Sequence, residues 1–376
     1  MRAPPNTASD VSLMDSLASK VSSLLRPEIL ALSAYHVQDS SGYIKLDAME
    51  NPYDWPETMV EEWLARLRAA KPNRYPDPSA GRLKGALRTV NEVPDQAGLM
   101  LGNGSDELIQ IILMAIAGTD AVVLAPEPTF VMYRQIGASL GLRFVGVSLR
   151  EADFSLDMDA MRDAIRTHQP AVIFLAYPNN PTGNAFARED VLEVLKLAPN
   201  LVVIDEAYAP FANSTFMPKL AEFDQLLVMR TLSKLGLAGL RLGLLAGHPA
   251  WIEQLDKLRL PYNINVLTQI SAEFALSKYE VLDAQVAHIR EQRDALSAAV
   301  QALPAVKVYP SQANFLMFRL LNADATEVFG ALKQAGVLIK NLHPAGGLLR
   351  QCLRVTVGTP TENQEFIAAL GNILKA

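Results

Sequence analysis

Short runs of apolar, often β-branched residues alternate in the middle of the chain with longer stretches in which apolar residues recur at helical spacing. The runs are AVVLAP (121–126), AVIFLAY (171–177), LVVIDEAY (201–208), LLVMRTLS (226–233) and LGLLAG (242–247). This alternation is typical of βαβ units. Because the runs are apolar almost throughout, we predict a mainly parallel sheet covered by helices on both faces, with ligands bound beyond the carboxyl ends of its strands.

The pattern changes after a long, charged stretch of helical period between residues 268 and 303. Beyond it, VKVYPSQANFLMFRL and CLRVTVG predict strands, and ADATEVFGALKQAG and TENQEFIAALGNILKA predict helices. These segments indicate a smaller α+β unit. We therefore expect a large domain at 46–280 and a small C-terminal domain at 281–376, with 1–45 forming an N-terminal arm and part of the small domain.

Composition narrows the possible partners. The chain has 376 residues, half of them apolar, and a net charge of -6 without any block of lysines and arginines. This balance argues against a nucleic-acid or membrane-surface partner and favours small-molecule ligands. Cys352 is the one cysteine, and the histidines lack metal-ligand spacing. We therefore expect no disulfide and no metal site, and the absence of an apolar leader segment favours the cytoplasm.

The segment GNGSDE could bind an anion. Gly102 and Gly104 permit a tight turn, and Ser105 suits the N-cap of the helix that follows. The first N–H groups of such a helix would point at a phosphate. An ordinary capped helix explains the same residues without any ligand.

Two further motifs follow predicted strands. In PNNPTG, Asn180 lies between turn-forming residues, and a plain turn is the alternative to a functional role. In VVIDEAY, Asp205 and Tyr208 stand where an apolar strand ends. A buried carboxylate there needs a positive partner, such as a cationic ligand atom, although a helix-capping aspartate is the alternative.

The fourth motif, RTLSKLGLAGLRLG, places Ser233 and Lys234 at the end of an apolar run, with Arg241 seven residues after the lysine. A lysine in a partly desolvated pocket becomes an amine nucleophile, and an arginine can bind phosphate oxygens in pairs. A surface lysine is the usual alternative. Together, the four motifs supply the groups needed to hold a phosphorylated pyridine aldehyde.

In order and spacing, GNGSDE, PNNPTG, VVIDEAY and TLSKLGLAGLRLG resemble the signature set of the fold-type I, pyridoxal-phosphate-dependent aminotransferases. LSAY, LDAMENPY, RYPDP, PTFVMYR and CLRVTVGTPTEN resemble the histidinol-phosphate branch of that family. The resemblance implies an α/β fold with a seven-stranded sheet, pyridoxal 5′-phosphate as cofactor, and transamination between glutamate and imidazole-acetol phosphate in histidine biosynthesis. It also implies a cis bond between Asn180 and Pro181.

The resemblance further implies a role for each cofactor contact. Lys234 is expected to form the Schiff base and carry the proton, and Asp205 to pair with the pyridinium nitrogen. Tyr208 and Asn180 are expected to bind the ring hydroxylate, and Phe130 to stack on the ring. The implied phosphate contacts are Gly104, Ser105, Asp106 with its carboxylate turned away, Ser233 and Arg241.

Four residues are implied outside the cofactor contacts of one chain. Tyr75 resembles the tyrosine that reaches across a homodimer interface to the partner's cofactor phosphate. Arg354 is expected to bind the acidic end of both substrates, and Tyr35 and Asn51 to contact the substrate. A turn or packing role is the alternative for Tyr75, Tyr35 and Asn51.

One spacing departs from the family pattern. Many relatives place the arginine eight residues after the lysine, whereas Arg241 is seven after Lys234, and Gly236 and Gly239 could absorb the difference.

Other functions remain open. On the same scaffold the alternatives are an aromatic or broad-specificity aminotransferase and a threonine-phosphate decarboxylase. Two further classes of protein fit less well. The sequence lacks the G-x-G-x-x-G turn that a nucleotide-dependent oxidoreductase would need, and it lacks the basic DNA-binding segment that a sensing module would need.

Overall fold

The computed structural model describes residues 17–34 and 38–375. Its centre is a seven-stranded sheet with the order β2-β8-β7-β6-β5-β3-β4. Strands β3 to β7 run parallel to one another, whereas β8 is antiparallel to both β2 and β7. The strands are β2 (Gly98–Asn103), β3 (Val122–Glu127), β4 (Arg143–Ser148), β5 (Val172–Ala176), β6 (Leu201–Asp205), β7 (Leu226–Thr231) and β8 (Leu242–Gly247).

The central strands are apolar at every position because both faces of the sheet are covered. In β5, Val172 and Phe174 face one hydrophobic core, whereas Ile173 and Leu175 face the other. All five residues of β5 and of β6 are buried. A polar residue at the end of such a strand is therefore held in apolar surroundings, which positions the site described below.

Helices cover the sheet and connect its strands. The shortest, α1, is a single turn, and α10 is the longest at 23 residues. None of the helices within 17–34 and 38–375 has both the length and the apolar character needed to cross a membrane. Residues 17–24 are helical. The helices after them are α1 (Pro27–Leu30), α2 (Glu57–Leu67), α3 (Gly81–Val90), α4 (Ser105–Ile116), α5 (Met132–Ser139), α6 (Met158–His168), α7 (Arg188–Leu197), α8 (Pro249–Leu255), α9 (Val266–Leu276), α10 (Tyr279–Gln301), α11 (Ala325–Gln334) and α12 (Pro360–Ile373).

A second, smaller sheet follows α10. It is antiparallel, with the order β12-β13-β10-β9, and a two-stranded pair joins β1 to β11. Residues near 45 thereby contact the C-terminal part of the chain. The bounds are β1 (Ile44–Lys45), β9 (Val306–Val308), β10 (Phe315–Leu320), β11 (Val337–Leu338), β12 (Lys340–Asn341) and β13 (Cys352–Thr356).

The predicted α/β class, with a mainly parallel seven-stranded sheet and a smaller α+β unit, is confirmed. Three of the predicted apolar runs extend one to three residues past the ends of β5, β6 and β7. The extra residues, 177, 206–208 and 232–233, belong to the loops at the site. The apolar runs left out two strands of the large sheet. In β2 only three consecutive residues are apolar, between glycines and without a β-branched residue. In β4, at the edge of the sheet, the residues are exposed or partly buried except Val147. The predicted domain bounds stay a prediction.

The first turn of α12 tests the local stability of the small unit. The Thr359 hydroxyl accepts a hydrogen bond from the Glu362 N–H, and the Glu362 carboxylate accepts one from the Thr359 N–H. We expect Thr359→Ala to lower the free energy of unfolding by about 1 kcal/mol. Urea unfolding would measure it, with Thr361→Ala, at an exposed helical position, as the control. Equal effects of the two substitutions would contradict this capping role.

Candidate active site

The site lies at one edge of the large sheet, where four strands end together. Strands β5, β6 and β7 are parallel, and β2 runs the same way because two antiparallel pairings through β8 separate it from β7. Their carboxyl ends border a cavity with about 570 Å³ of empty space. Its lining residues are Met49, Ser105, Asp106, Phe130, Ala176, Pro178, Asn180, Asp205, Ala207, Tyr208, Thr231, Ser233, Lys234 and Arg241.

Asp205 is the last residue of β6, and it is 3% exposed. Burial raises the pKa of Asp205 to about 6, although hydrogen bonds from the Tyr133 hydroxyl and the Ala207 N–H oppose the rise. The carboxyl is therefore largely ionised at neutral pH. An anion in such surroundings favours a positively charged ligand atom in the cavity.

A chain of hydrogen bonds leads from the cavity to an arginine of the small sheet. The Asn180 Nδ2 donates to the Tyr208 hydroxyl oxygen at 3.1 Å. The Asn180 Oδ1 accepts a bond of 2.6 Å from Arg354, which also donates to the Asp47 carbonyl. Asn180, Tyr208 and Arg354 are all at least nine-tenths buried. The predicted cis bond between Asn180 and Pro181 is present.

Lys234 lies in a short 3-10 helix directly after β7, followed by Gly236 in the left-handed region. Its Nζ donates to the Ala48 carbonyl at 3.2 Å. Burial, and after it the positive charge of Arg354, lowers the pKa of Lys234 to about 8. A substantial fraction of the amine is therefore neutral near pH 8, which is the form that acts as a nucleophile.

The N-terminus of α4 faces the same cavity. Its N-cap is Gly104, with φ 79°, and no side chain caps it. The prediction that Ser105 is the N-cap is therefore wrong: Ser105 is the first helical residue, and the glycine takes the turn that only it adopts at low cost. The helix leaves its first N–H groups without a side-chain acceptor, as an anion site requires.

A second glycine permits this turn to approach the sheet. A Cβ atom at Gly243 of β8 would lie 2.6 Å from the carbonyl carbon of Gly104 and 2.8 Å from the Ser105 nitrogen. These neighbours are backbone atoms, so no side-chain rotation relieves the clash. The close approach holds the N-terminus of α4 against the strand that is antiparallel to its neighbours.

Arg241 reaches this turn despite the short loop. Its Nη2 is 2.7 Å from where a Cβ of Gly104 would stand, and 3.4 Å from an oxygen of Asp106. The Ser233 hydroxyl, 2.9 Å from that of Thr231, is on the same cavity wall. A guanidinium, two hydroxyls and a helix N-terminus thus form one anion-binding surface.

Among the described residues, four predicted site residues do not line the cavity: Gly104, Asn51, Tyr75 and Arg354. Gly104 and Arg354 contact residues that do, Arg241 and Asn180 respectively. Tyr75 is 80% exposed, and its ring stacks on Tyr262 with centroids 4.4 Å apart. The Asn51 Nδ2 donates to Gln285, and the side chain lies against Gly236 behind the lysine loop. Tyr35 lies outside the described residues. Their predicted contacts stay predictions.

Sequence reasoning did not single out several residues at the site, among them Met49, Thr231 and Tyr133. Met49 lines the cavity from a loop, with φ 53°. Thr231 supplies the second hydroxyl beside Ser233. Tyr133 binds Asp205 directly. It lies at the start of α5, three residues after Phe130 of the preceding loop, and that closeness to a predicted ring-stacking residue was the signal that could have revealed it.

Comparisons with known proteins agree on one family. The sequence model of the aminotransferase class I and II family matches residues 41–370. A histidinol-phosphate aminotransferase of Nitrosococcus oceani is 58% identical over 351 residues, which cover 93% of this chain and 97% of the relative. One of Chromobacterium violaceum is 51% identical over 350 residues, 93% of this chain and 98% of the relative.

Solved structures share the fold. The histidinol-phosphate aminotransferase of Sinorhizobium meliloti in complex with pyridoxal-5′-phosphate aligns with a TM-score of 0.82 at 22% identity, over 94% of this chain and 98% of that one. The L-threonine-O-3-phosphate decarboxylase of Porphyromonas gingivalis aligns with a TM-score of 0.74, also at 22% identity, over 88% and 99%. At these identities the likeness concerns the fold alone.

The lowered pKa of Lys234 predicts a pH-dependent stability. Below pH 8 the ligand-free folded protein carries a buried charge, so Lys234→Met should raise the free energy of unfolding by a few kcal/mol. Between pH 8 and about 10.5 the folded state releases the proton while the unfolded chain retains it, so the wild type gains stability and the difference disappears. Urea unfolding at pH 7 and 10 would measure the difference in free energy of unfolding between the Met variant and the wild type. A difference in favour of the Met variant that grows with pH would contradict the prediction.

Proposed function

This chain belongs to the class I and II aminotransferases, and within them to the histidinol-phosphate aminotransferases, and from that premise we propose that its cavity carries out transamination between histidinol phosphate and 2-oxoglutarate. Its cofactor is pyridoxal 5′-phosphate. The observation that carries the proposal is that Lys234, Asp205 and the N-terminus of α4 border one cavity. These three groups suit the aldehyde, the ring nitrogen and the phosphate of that cofactor.

The cavity walls fit the cofactor group by group. When bound, pyridoxal phosphate supplies an aldehyde that combines with amines and a ring that takes up electrons from the substrate α-carbon. Asp205, ionised and buried, would keep the ring nitrogen protonated. Phe130 on the cavity wall would stack on the ring, and Tyr208 with Asn180 would hydrogen-bond the ring hydroxylate.

The phosphate would lie at the uncapped N-terminus of α4. The N–H groups after Gly104, beginning with Ser105, and the side chains of Ser233 and Arg241 would hold it. The Asp106 carboxylate now lies 3.4 Å from Arg241. It would have to turn aside to leave the guanidinium to the phosphate, because two anions this close repel each other.

Lys234 would have two successive tasks. Its neutral amine, favoured by the pKa of about 8, would hold the cofactor until a substrate amine replaces it. The released Nζ would then take the proton from the substrate α-carbon and return it one step later. The Ala48 carbonyl, which accepts a hydrogen bond from this nitrogen, would orient it between these tasks.

Arg354 would bind the acidic end of each substrate in turn. Histidinol phosphate and glutamate differ in size but both end in an oxyanion, which a guanidinium binds through paired hydrogen bonds. Arg354 is held by Asn180 and the Asp47 carbonyl, so its position is set before substrate arrives. Tyr35 and Asn51 remain proposed contacts to the same substrates.

A homodimer would complete the site. Tyr75 is 80% exposed, which is unusual for a large aromatic side chain, and it forms an aromatic pair with Tyr262 at the surface. We propose that the phenol reaches the cofactor phosphate of the partner chain. We also propose that the protein is cytoplasmic and that its large domain spans residues 46–280.

An aromatic aminotransferase and a phosphothreonine decarboxylase would use the same cofactor contacts, so substrate preference is the decisive measurement. We expect kcat/KM for histidinol phosphate to exceed that for phenylalanine at least about tenfold, since a phosphate dianion offers the Arg354 guanidinium more charge and more acceptor oxygens than the carboxylate of phenylalanine does. A donor and acceptor panel would measure it, with Lys234→Ala as the background, at least about 1000-fold less active. Comparable rates on both donors would contradict the narrow assignment.

Mixed dimers test the role of Tyr75. Tyr75→Ala and Lys234→Ala should each be nearly inactive, but a hybrid of the two has one site with both residues intact. After equal mixing and exchange, half of the dimers are hybrids with one working site, so about a quarter of wild-type activity should return. Activity that stays at the sum of the separate variants, with subunit exchange verified, would contradict the proposal.

A further inference from the structure

Tyr133, which sequence reasoning did not single out, has its hydroxyl group on the proposed cofactor partner. It lies on α5, is 0% exposed, and donates a hydrogen bond of 2.7 Å to Oδ2 of Asp205. Burial and the neighbouring carboxylate raise the pKa of Tyr133, so the phenol keeps its proton. The tyrosine is therefore the donor and the aspartate the acceptor.

Aromatic contacts fix where this hydroxyl can be. The Tyr133 ring stacks on Phe174 of β5, with centroids 4.6 Å apart and planes inclined by 14°. Phe130 meets it edge-on at 5.6 Å. A ring held on two sides has little freedom, so the hydroxyl is a fixed donor and not one that adapts to the carboxylate.

The second carboxylate oxygen also has a donor. The Ala207 N–H binds Oδ1 of Asp205 at 3.1 Å. Donors on both oxygens fix the plane of the carboxyl group. They also favour its ionised form, which burial and the charges of Asp106 and Glu206 oppose.

We propose that Tyr133 is a positioning residue, whose hydroxyl holds the Asp205 carboxylate in the ionised state and orientation that a pyridinium nitrogen needs. This inference rests on the proposed function, because it assumes that Asp205 faces the cofactor ring. Without the hydroxyl, one carboxylate oxygen loses its only side-chain donor in the described structure. The group can then rotate or take up a proton, and in either case it pairs less well with the ring nitrogen.

Tyr133→Phe tests this role because it keeps the stacked ring and removes one oxygen atom. We expect kcat to fall about 10- to 100-fold with KM for glutamate changed less than about threefold, in line with the loss of a hydrogen bond to a charged group. The cofactor should leave the holoenzyme about tenfold faster, followed by its absorbance during dialysis. Unchanged kcat and unchanged release would overturn the proposal.

Tyr309→Phe is the matched control. Tyr309 is 2% exposed, and its hydroxyl has no hydrogen-bond partner among the described residues. Removing that oxygen should leave kcat and cofactor release unchanged. Should Tyr133→Phe lower the unfolding temperature more than this control, replacing Tyr133 by 3-fluorotyrosine retains the donor on an almost identical ring. It should keep the cofactor as long as the wild type does, and a loss like that of the Phe variant would overturn the proposal.

A double-mutant cycle separates the inference from its premise. If Tyr133 acts through Asp205, adding Tyr133→Phe to Asp205→Asn should change cofactor release and kcat less than about threefold further. Independent, multiplying effects would overturn the positioning role alone. If Asp205→Asn itself changes neither quantity, the proposed function of Asp205 fails instead.

Discussion

The structure depends on one unfavourable interaction, the burial of the Asp205 carboxylate at the end of a strand whose five residues are all buried. An ionised carboxylate in apolar surroundings costs free energy that its hydrogen bonds only partly offset. The raised pKa of about 6 records the balance that remains. A cation placed in the cavity would remove this cost. The free energy stored in the folded protein therefore favours binding of a ring whose nitrogen carries a proton.

Lys234 presents the complementary case in the same cavity. Burial lowers the pKa of its amine to about 8, so the protein tolerates it most easily as a neutral nucleophile. Neither shift requires contact between the two side chains, because desolvation is the largest cause of each. Apolar central strands with polar groups at their carboxyl ends produce both. The packing of helices on both faces of the sheet therefore both forms the core and shifts the pKa values of Asp205 and Lys234.

The sequence predicts strands β3 and β5 to β8 because a short, continuous apolar run bounded by turn residues is typical of a strand buried on both faces. It also brings together Asp205, Asn180 and Lys234, since each follows or ends a strand and parallel strands end at one edge. Contacts across elements are harder. Tyr133 and Asp205 are 72 positions apart in the sequence, yet they are hydrogen-bonded. The edge strand β4, whose apolar residues are interrupted by a glycine, has no continuous apolar run to reveal it. Only the order of strands in the sheet fixes such neighbours.

The seven-residue spacing between Lys234 and Arg241 illustrates how local backbone freedom replaces a missing residue. Of the two glycines that could absorb the difference, Gly236 and Gly239, only Gly236 takes a positive φ, and the second left-handed residue is Arg241 itself, with φ 49°. A left-handed arginine is unfavourable by a modest amount, about 1 kcal/mol. In this backbone conformation the Arg241 side chain lies against Gly104 at the start of α4. The strain therefore lies at the residue whose guanidinium the anion site needs, and a bound phosphate would stabilise that conformation through the same side chain.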